Sequence, residues 1–148
     1  VEYKTPNFLT PDDTLEQIDI SMEISSEFPF SNDVWPSDIT FTLNGTELGT
    51  WTSPGNFADT RGKLNPSWWP SNLNQYGLLK TLRVTHHGTY MDGDPLSQVS
   101  ISDLNKTAET WEIRIEVKPD AENVGGVTLF GKKFGNHDQD INFKAYYS

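Results

Sequence analysis

Cysteine is absent from this sequence, which excludes disulfide bonds, thiol catalysis and thiolate zinc sites. Cationic residues are also few: 11 Lys and Arg stand against 21 Asp and Glu, and the net charge is -10 at pH 7. A chain this acidic does not neutralise phosphates, which excludes nucleic-acid binding by this segment and disfavours anionic membrane surfaces. No apolar run approaches the roughly 18 residues that a transmembrane helix needs. The lack of cysteine fits a reducing cytoplasm, which is the location we expect.

Aromatic residues, in contrast, make up 12% of the 148 residues. Each can bury roughly 150–250 Å², so they predict a folded chain with a small, aromatic-rich core. The length suits one domain, since compact domains most often have about 100–150 residues. We therefore predict a single domain over residues 1–148. Because the chain begins at Val1 and shows no signal-peptide pattern, we expect it to be a fragment of a longer protein.

The main pattern along the chain is the alternation of apolar and polar residues. Between positions 18 and 25 every second residue is apolar, which predicts a strand buried on one face, because successive side chains point to opposite sides. Residues 111–117 show the same pattern. Shorter segments predict further strands at 39–43, 48–51, 78–84, 127–129 and 141–147.

Turn signals separate these segments. Asn44-Gly45 predicts a type I′ hairpin turn, which needs positive φ at both positions, and Asp92-Gly93 predicts a second turn. Residues 1–14 and 26–38 contain prolines and are predicted to be irregular, and only residues 102–107 suggest a helical turn. Many short strands without crossover helices predict an all-β fold: an antiparallel β-sandwich, and more specifically a jelly roll.

The charged residues do not form a recognisable catalytic motif. The pairs Asp92/Asp94 and Asp138/Asp140 suit turns that hold a cation, but no EF-hand spacing surrounds them, and we interpret them as solvated surface residues. His86-His87 would point to opposite faces of a continuing strand, so we expect surface histidines and not a shared metal. We therefore predict that the protein is not an enzyme and uses neither a metal nor a cofactor.

The long segment 52–76 is rich in Gly, Pro, Asn and Ser. Irregular segments longer than about 12–15 residues are uncommon in compact domains and are often functional. Its aromatic rings either pack into a small core beneath the loop or form a platform on which a sugar ring or a nucleobase stacks. Its basic residues either pair with Asp59 or hold an anionic or hydroxyl group of a ligand. The candidate ligand-binding residues are Trp51, Phe57, Arg61, Lys63, Trp68, Trp69 and Tyr76.

Several runs of residues resemble those of a known family. They are W-T-S-P-G-x-F at 51–57, R-G-K-L-N-P-x-W-W at 61–69, Q-Y-G-L-L-K at 75–80 and V-G-G-x-x-L-F-G at 124–131. From Ile18 onward the chain resembles the C-terminal domain of bacterial winged-helix transcriptional regulators of the ArsR type. In that family the DNA-binding winged helix lies N-terminal to this domain. The ArsR name usually implies metal sensing, which we do not expect from a chain without cysteine or metal-ligand spacing.

Three functional hypotheses follow. The first is a cytoplasmic effector domain of an ArsR-type regulator that binds a small, sugar-like molecule beside the 52–76 loop. The second is a carbohydrate-binding module of an extracellular enzyme. The third is a structural dimerisation domain without a ligand, in which Trp68 and Trp69 are buried. The expected partners are thus a small-molecule or carbohydrate effector, a second copy of the chain, and DNA only through an N-terminal domain outside this sequence, with no membrane.

Overall fold

Ten strands make up the regular structure in the computed structural model, which describes residues 1–28 and 31–148. The strands are β1 (Glu2–Pro6), β2 (Leu15–Ser25), β3 (Ser37–Leu43), β4 (Thr46–Ser53), β5 (Leu78–Val84), β6 (Thr89–Met91), β7 (Asp94–Ser97), β8 (Thr110–Val117), β9 (Thr128–Phe130) and β10 (Asn142–Tyr147). A four-stranded sheet has the order β1-β8-β3-β4, and a six-stranded sheet has the order β10-β2-β5-β6-β7 with β9 also beside β2. The predicted antiparallel β-sandwich is confirmed, and the jelly-roll assignment stays a prediction.

The core lies between the two sheets. The apolar residues of β2 point into it, and Ile18 and Ile24 are fully buried. Phe41 on β3 and Trp111 on β8 enter from the other sheet, and the ring of Trp111 lies 5.7 Å from that of Phe143 on β10. The alternation in the sequence therefore identifies the inner face of both sheets correctly.

The two tight turns have the expected backbone conformation. Asn44 and Gly45 have φ angles of 46° and 80° and join β3 to β4, as a type I′ hairpin requires. Asp92 and Gly93 have φ angles of 51° and 87° and join β6 to β7. The predicted helical turn is a single 3₁₀ turn at Ile101–Asp103. No helix within the described ranges is long and apolar enough to cross a bilayer.

The prediction that residues 1–14 are irregular is wrong for their first part, which forms β1. This strand pairs with β8 along its whole length, and the amino group of Val1 donates a hydrogen bond to the carbonyl of Ile115 at 2.9 Å. It lacks the apolar alternation because it is an edge strand whose side chains are mostly exposed. The predicted loop 26–38 includes Pro29 and Phe30, which lie outside the described residues.

One edge of the six-stranded sheet is interrupted in a way that shapes the surface. Strand β9 pairs Phe130 with Glu23 of β2, and β10 pairs Asn142 with Ser21 of the same strand. Both run antiparallel to β2, so they form one edge strand that the chain leaves after Phe130 and rejoins at Asn142. Residues 131–141 are thus an excursion from the sheet edge.

Candidate functional site

Two irregular segments, 54–77 and 131–141, pack against each other and against the outer face of the six-stranded sheet; we call them the loop platform. The backbone N–H of Leu64 donates to the carbonyl of Gly135 at 2.9 Å. In return, the N–H of Gly135 donates to Asn65 Oδ1 at 2.6 Å. The N–H of Lys63 donates to Asn136 Oδ1 at 2.9 Å, so side chains and backbone of both segments hold them together.

The loop platform is attached to the sheet through a buried carboxylate. Glu23 lies on the face of β2 opposite the core, yet its side chain is fully buried. Its Oε2 accepts a hydrogen bond from the N–H of Gly77 at 2.8 Å, and its Oε1 accepts one from the N–H of His137 at 2.9 Å. Both oxygens also lie within hydrogen-bond distance of the N–H of Asn136, at 3.1 and 3.0 Å. One side chain therefore joins the sheet to both segments.

Gly135 is required at this attachment for two reasons. Its φ of 69° lies in the left-handed region that residues with a side chain rarely adopt. In addition, a Cβ atom at this position would overlap with the carboxylate of Glu23. A glycine therefore allows the excursion to approach the buried carboxylate closely.

Primary amide side chains form the interior of the loop platform. Gln75 is buried, and its Nε2 donates to the carbonyls of Pro70 and Leu73 at 2.8 and 3.0 Å. Asn65 Nδ2 donates to the carbonyl and to Oε1 of Gln75 at 2.8 and 3.0 Å. Because an amide both donates and accepts, these residues satisfy the backbone of a loop that has no regular ladder.

Two further amides extend this support to the sheet edge. The buried Asn56 donates from Nδ2 to Asn74 Oδ1 at 3.0 Å, and Asn74 Nδ2 donates to the hydroxyl of Thr128 on β9 at 3.1 Å. The loop platform is thus a hydrogen-bonded structure rather than an apolar one. Such a network orders the loop, although the buried Asn56 Oδ1 has no hydrogen-bond partner among the described residues.

Trp68 and Trp69 differ in their surroundings. Trp69 is half-buried, its ring meets that of Phe134 at 5.6 Å, and its Nε1 donates to the carbonyl of Asn74 at 2.8 Å. The rings of Trp68 and Trp69 are arranged edge to face with centroids 5.8 Å apart, but Trp68 remains 69% exposed. The loop therefore contains both a packed ring and a displayed one.

Arg61 supports the turn that carries these two rings. Its guanidinium donates to the carbonyl of Trp69 at 3.2 Å and to that of Pro66. Asp59, the alternative partner considered from the sequence, instead accepts a hydrogen bond from the hydroxyl of Tyr76 at 2.5 Å. Arg61 thus stabilises the backbone of the loop, and its side chain is also exposed to solvent.

Phe57 and Tyr76 form a second aromatic pair. Their rings are stacked, with centroids 5.3 Å apart and planes 15° from parallel. The hydrogen bond to Asp59, together with burial and the negative charge nearby, raises the pKa of Tyr76 to about 12. The phenol of Tyr76 donates to Asp59 and therefore keeps its proton to a higher pH than an ordinary tyrosine does.

The two remaining candidate residues lie in different settings. The Lys63 side chain is exposed on the loop platform. Trp51 does not belong to the platform: it lies on β4 of the other sheet and packs against the core. The ammonium group of Lys80 lies 5.2 Å from the centre of its ring, a cation–π geometry. Six of the seven candidate residues thus belong to the segment 54–77 of the platform, whereas Trp51 packs against the core.

The paired aspartates have local structural contacts. Asp92 accepts from the N–H of Thr81 at 2.8 Å and pairs with Lys80 at 3.1 Å. Asp138 and Asp140 accept from backbone N–H groups of the excursion. Within residues 1–28 and 31–148, no three His, Cys, Asp or Glu side chains come together in an arrangement that could hold a metal ion.

The two adjacent histidines lie beyond the end of β5, so the opposite-face argument, which assumed a continuing strand, does not apply to them. Both are exposed, as expected for surface histidines. His86 Nε2 lies 3.1 Å from Glu16 Oε2, at one end of β2.

Sequence reasoning missed the residues that hold the site together. Glu23 looked like an ordinary outer-face residue, and a carboxylate in an alternating strand carries no signal of burial. Comparisons with models of protein families, with curated proteins and with solved structures gave no significant match.

Proposed function

We propose that this chain is a non-enzymatic ligand-binding domain that holds a sugar-like ring against the loop platform. One observation carries the proposal: the indole of Trp68 is 69% exposed on a loop that is otherwise hydrogen-bonded internally. A large apolar ring displayed on a pre-organised loop is typical of a recognition surface, because binding then needs little reordering. A flat indole suits the apolar face of a sugar ring.

Other side chains of the loop platform supply the polar groups for such a site. Trp69 orients the exposed ring through its edge-on contact. Lys63 offers a donor on the same loop, and the remaining N–H groups of Arg61 can meet a hydroxyl or an anionic group. These side chains combine one apolar surface with a few polar groups, which is the usual composition of a small-molecule site.

The resemblance to ArsR-type regulators supplies the biological context of the proposal. In that context the chain is a cytoplasmic effector domain. A ligand that contacts the loop platform differently in two conformations shifts the whole protein between states with high and low affinity for DNA. DNA contacts belong to a winged-helix domain outside this sequence.

The exposure of Trp68 also bears on the other two hypotheses. A dimerisation domain without a ligand was expected to bury both Trp68 and Trp69, and only Trp69 is partly buried. A carbohydrate-binding module uses the same exposed ring, so it remains the second candidate. It differs from the regulator in its location and in the domain attached to it.

Binding is tested by titrating the 148-residue chain with a panel of neutral and acidic sugars and following tryptophan fluorescence and heat. We expect at least one sugar to bind, and Trp68→Ala to raise its dissociation constant about two- to tenfold, since stacking contributes about 0.5–1.5 kcal/mol. The matched control is Phe8→Ala, which removes a ring that is 86% exposed but lies outside the platform. Equal affinities of the two variants would contradict the proposed site.

The context is tested on the native gene product. Cell fractionation gives the location of this product, and mass spectrometry gives its intact mass. A cytoplasmic protein with a basic, helical N-terminal extension would support the regulator. A secreted product attached to a hydrolase domain would support the binding module instead. DNA-affinity measurements with the sugar identified above would then show whether it acts as an effector.

A further inference from the structure

A concave surface separate from the loop platform lies on the outer face of the six-stranded sheet, beside the end of β2 where Glu16 lies. We call it the sheet groove; its volume is about 680 Å³. It runs over β2, β5 and β6 and is bordered by the turns that hold His86 and Asp92. The volume falls within the range of about 300–1,000 Å³ that is usual for ligand sites.

A pre-organised row of polar side chains crosses this part of the sheet. Arg83 on β5 donates from Nε to Asp19 Oδ1 at 2.8 Å and from Nη2 to Asp19 Oδ2 at 3.0 Å. Gln17 Nε2 donates to the same Oδ1 at 3.0 Å. The Asp19 side chain is only 12% exposed, whereas that of Arg83 is 49% exposed. Arg83 therefore presents oriented N–H groups to solvent, with its charge already balanced by the carboxylate beneath.

An aromatic ring stands next to this row. Tyr90 on β6 pairs in register with Arg83, so both side chains leave the same face of the sheet. Tyr90 is half-buried and lines the sheet groove. An aromatic ring beside fixed hydrogen-bonding groups is a general arrangement for binding molecules with one apolar and one hydroxylated face.

The charges around the groove determine which ligand fits. Glu16 and Asp92 line it, and Arg83 is already paired with Asp19. Asp92 is in turn paired with Lys80, and Glu16 lies beside His86, so the charges at the groove are largely balanced and give an anion little attraction. Donors from Arg83 and acceptors from the carboxylates together suit adjacent hydroxyl groups, each of which donates and accepts.

We propose that the sheet groove binds a neutral carbohydrate, with a sugar ring against Tyr90 and its hydroxyls on Arg83 and the carboxylate of Glu16. This site is distinct from the loop platform and uses none of its residues. It does not depend on the function proposed for Trp68.

The test is a titration of the ¹⁵N-labelled chain with maltose, cellobiose and lactose, followed by NMR, with inorganic phosphate as the anionic comparison. We expect a neutral sugar to shift the backbone amides of Thr81, Arg83 and Thr85. Tyr90→Ala is expected to raise the dissociation constant about tenfold, as the loss of about 1.4 kcal/mol would. The matched control is Tyr3→Ala, which removes a ring that is 40% exposed on the other sheet.

A second variant distinguishes loss of binding from a change of fold in Tyr90→Ala. His87 is exposed and lines the groove, so His87→Ala is expected to weaken binding while the amide spectrum elsewhere stays unchanged. Trp68→Ala is expected to leave the shifts in the groove intact.

Three results would overturn the proposal. Shifts confined to the indole signals of Trp68 and Trp69 would refute the groove and support the platform. A response of the groove amides to phosphate and not to sugar would refute the neutral ligand. The absence of groove shifts with all three sugars at millimolar concentration would refute the site, whatever the platform does.

Discussion

Replacement of Glu23 by Gln tests whether one buried carboxylate attaches the loop platform to the sheet. The substitution keeps the shape of the side chain but turns one acceptor oxygen into an NH₂ group. Oε1 faces the N–H of His137 and Oε2 faces the N–H of Gly77, so either orientation of the amide sets a donor against a donor. At least one buried N–H then loses its acceptor.

These contacts determine how much the substitution lowers the free energy of unfolding. A buried donor left without a partner costs about 1–3 kcal/mol, and the bonds that remain lose the strengthening that the negative charge gave them. We therefore expect Glu23→Gln to lower the free energy of unfolding by about 2–4 kcal/mol. The matched control is Glu122→Gln, at an exposed position, which we expect to change stability by less than about 0.5 kcal/mol.

Urea unfolding followed by tryptophan fluorescence measures the loss of stability, and hydrogen exchange shows where it occurs. We expect exchange to accelerate at Gly77, Asn136 and His137 before it accelerates in β3 and β8. If Glu23→Gln were as stable as Glu122→Gln and exchanged at the same rate, the carboxylate would not be the attachment. The amide network would then have to hold the loop platform alone.

The lowered pKa of Asp38 and the raised pKa of Tyr76 can each be tested by a single substitution. Hydrogen bonds from Thr52 and Asn123 lower the pKa of Asp38, so its stabilisation is present above the ordinary carboxyl range and is lost as the pH falls through the lowered value. The stability gap between wild type and Asp38→Asn, measured by urea unfolding, is therefore expected at neutral pH and should close in acid. For Tyr76, whose pKa is raised to about 12, the Asp59→Asn variant is expected to return the phenol pKa towards about 10, as followed by ultraviolet absorbance. An unchanged titration of Tyr76 would show that Asp59 is not the cause.

The inner face of the sandwich can be predicted from the sequence, because a strand that is buried on one face alternates apolar and polar residues. Ile18 to Ile24 on β2 and Trp111 to Ile115 on β8 alternate, and these apolar side chains fill the core. The Asn44-Gly45 turn can also be predicted from the sequence, since few residues other than Asn and Gly tolerate its φ angles. β1 was missed because an edge strand is held by backbone bonds, which leave no apolar pattern.

The candidate site was predicted only in part, for a related reason. The 52–76 loop and its aromatic residues stand out by composition, and six of the seven named side chains do lie on the platform. Their individual exposure depends on Glu23 and on the excursion 131–141, both distant along the chain. Trp51 is adjacent to the loop in sequence, but it belongs to β4. Likewise, the sheet groove joins β2 to β5 and β6, which only the strand order brings together.

The amide support of the platform has a consequence for how this domain can diversify. The hydrogen bonds of Asn65 and Gln75 end on backbone and amide groups, and the side chains of Trp68 and Lys63 take no part in them. Substitutions at those two exposed positions would therefore change the chemistry of the surface while the support beneath stays intact. A lineage or a designed library could vary the bound molecule by altering a few outer side chains, as antibody loops do, without having to evolve a new fold around each ligand.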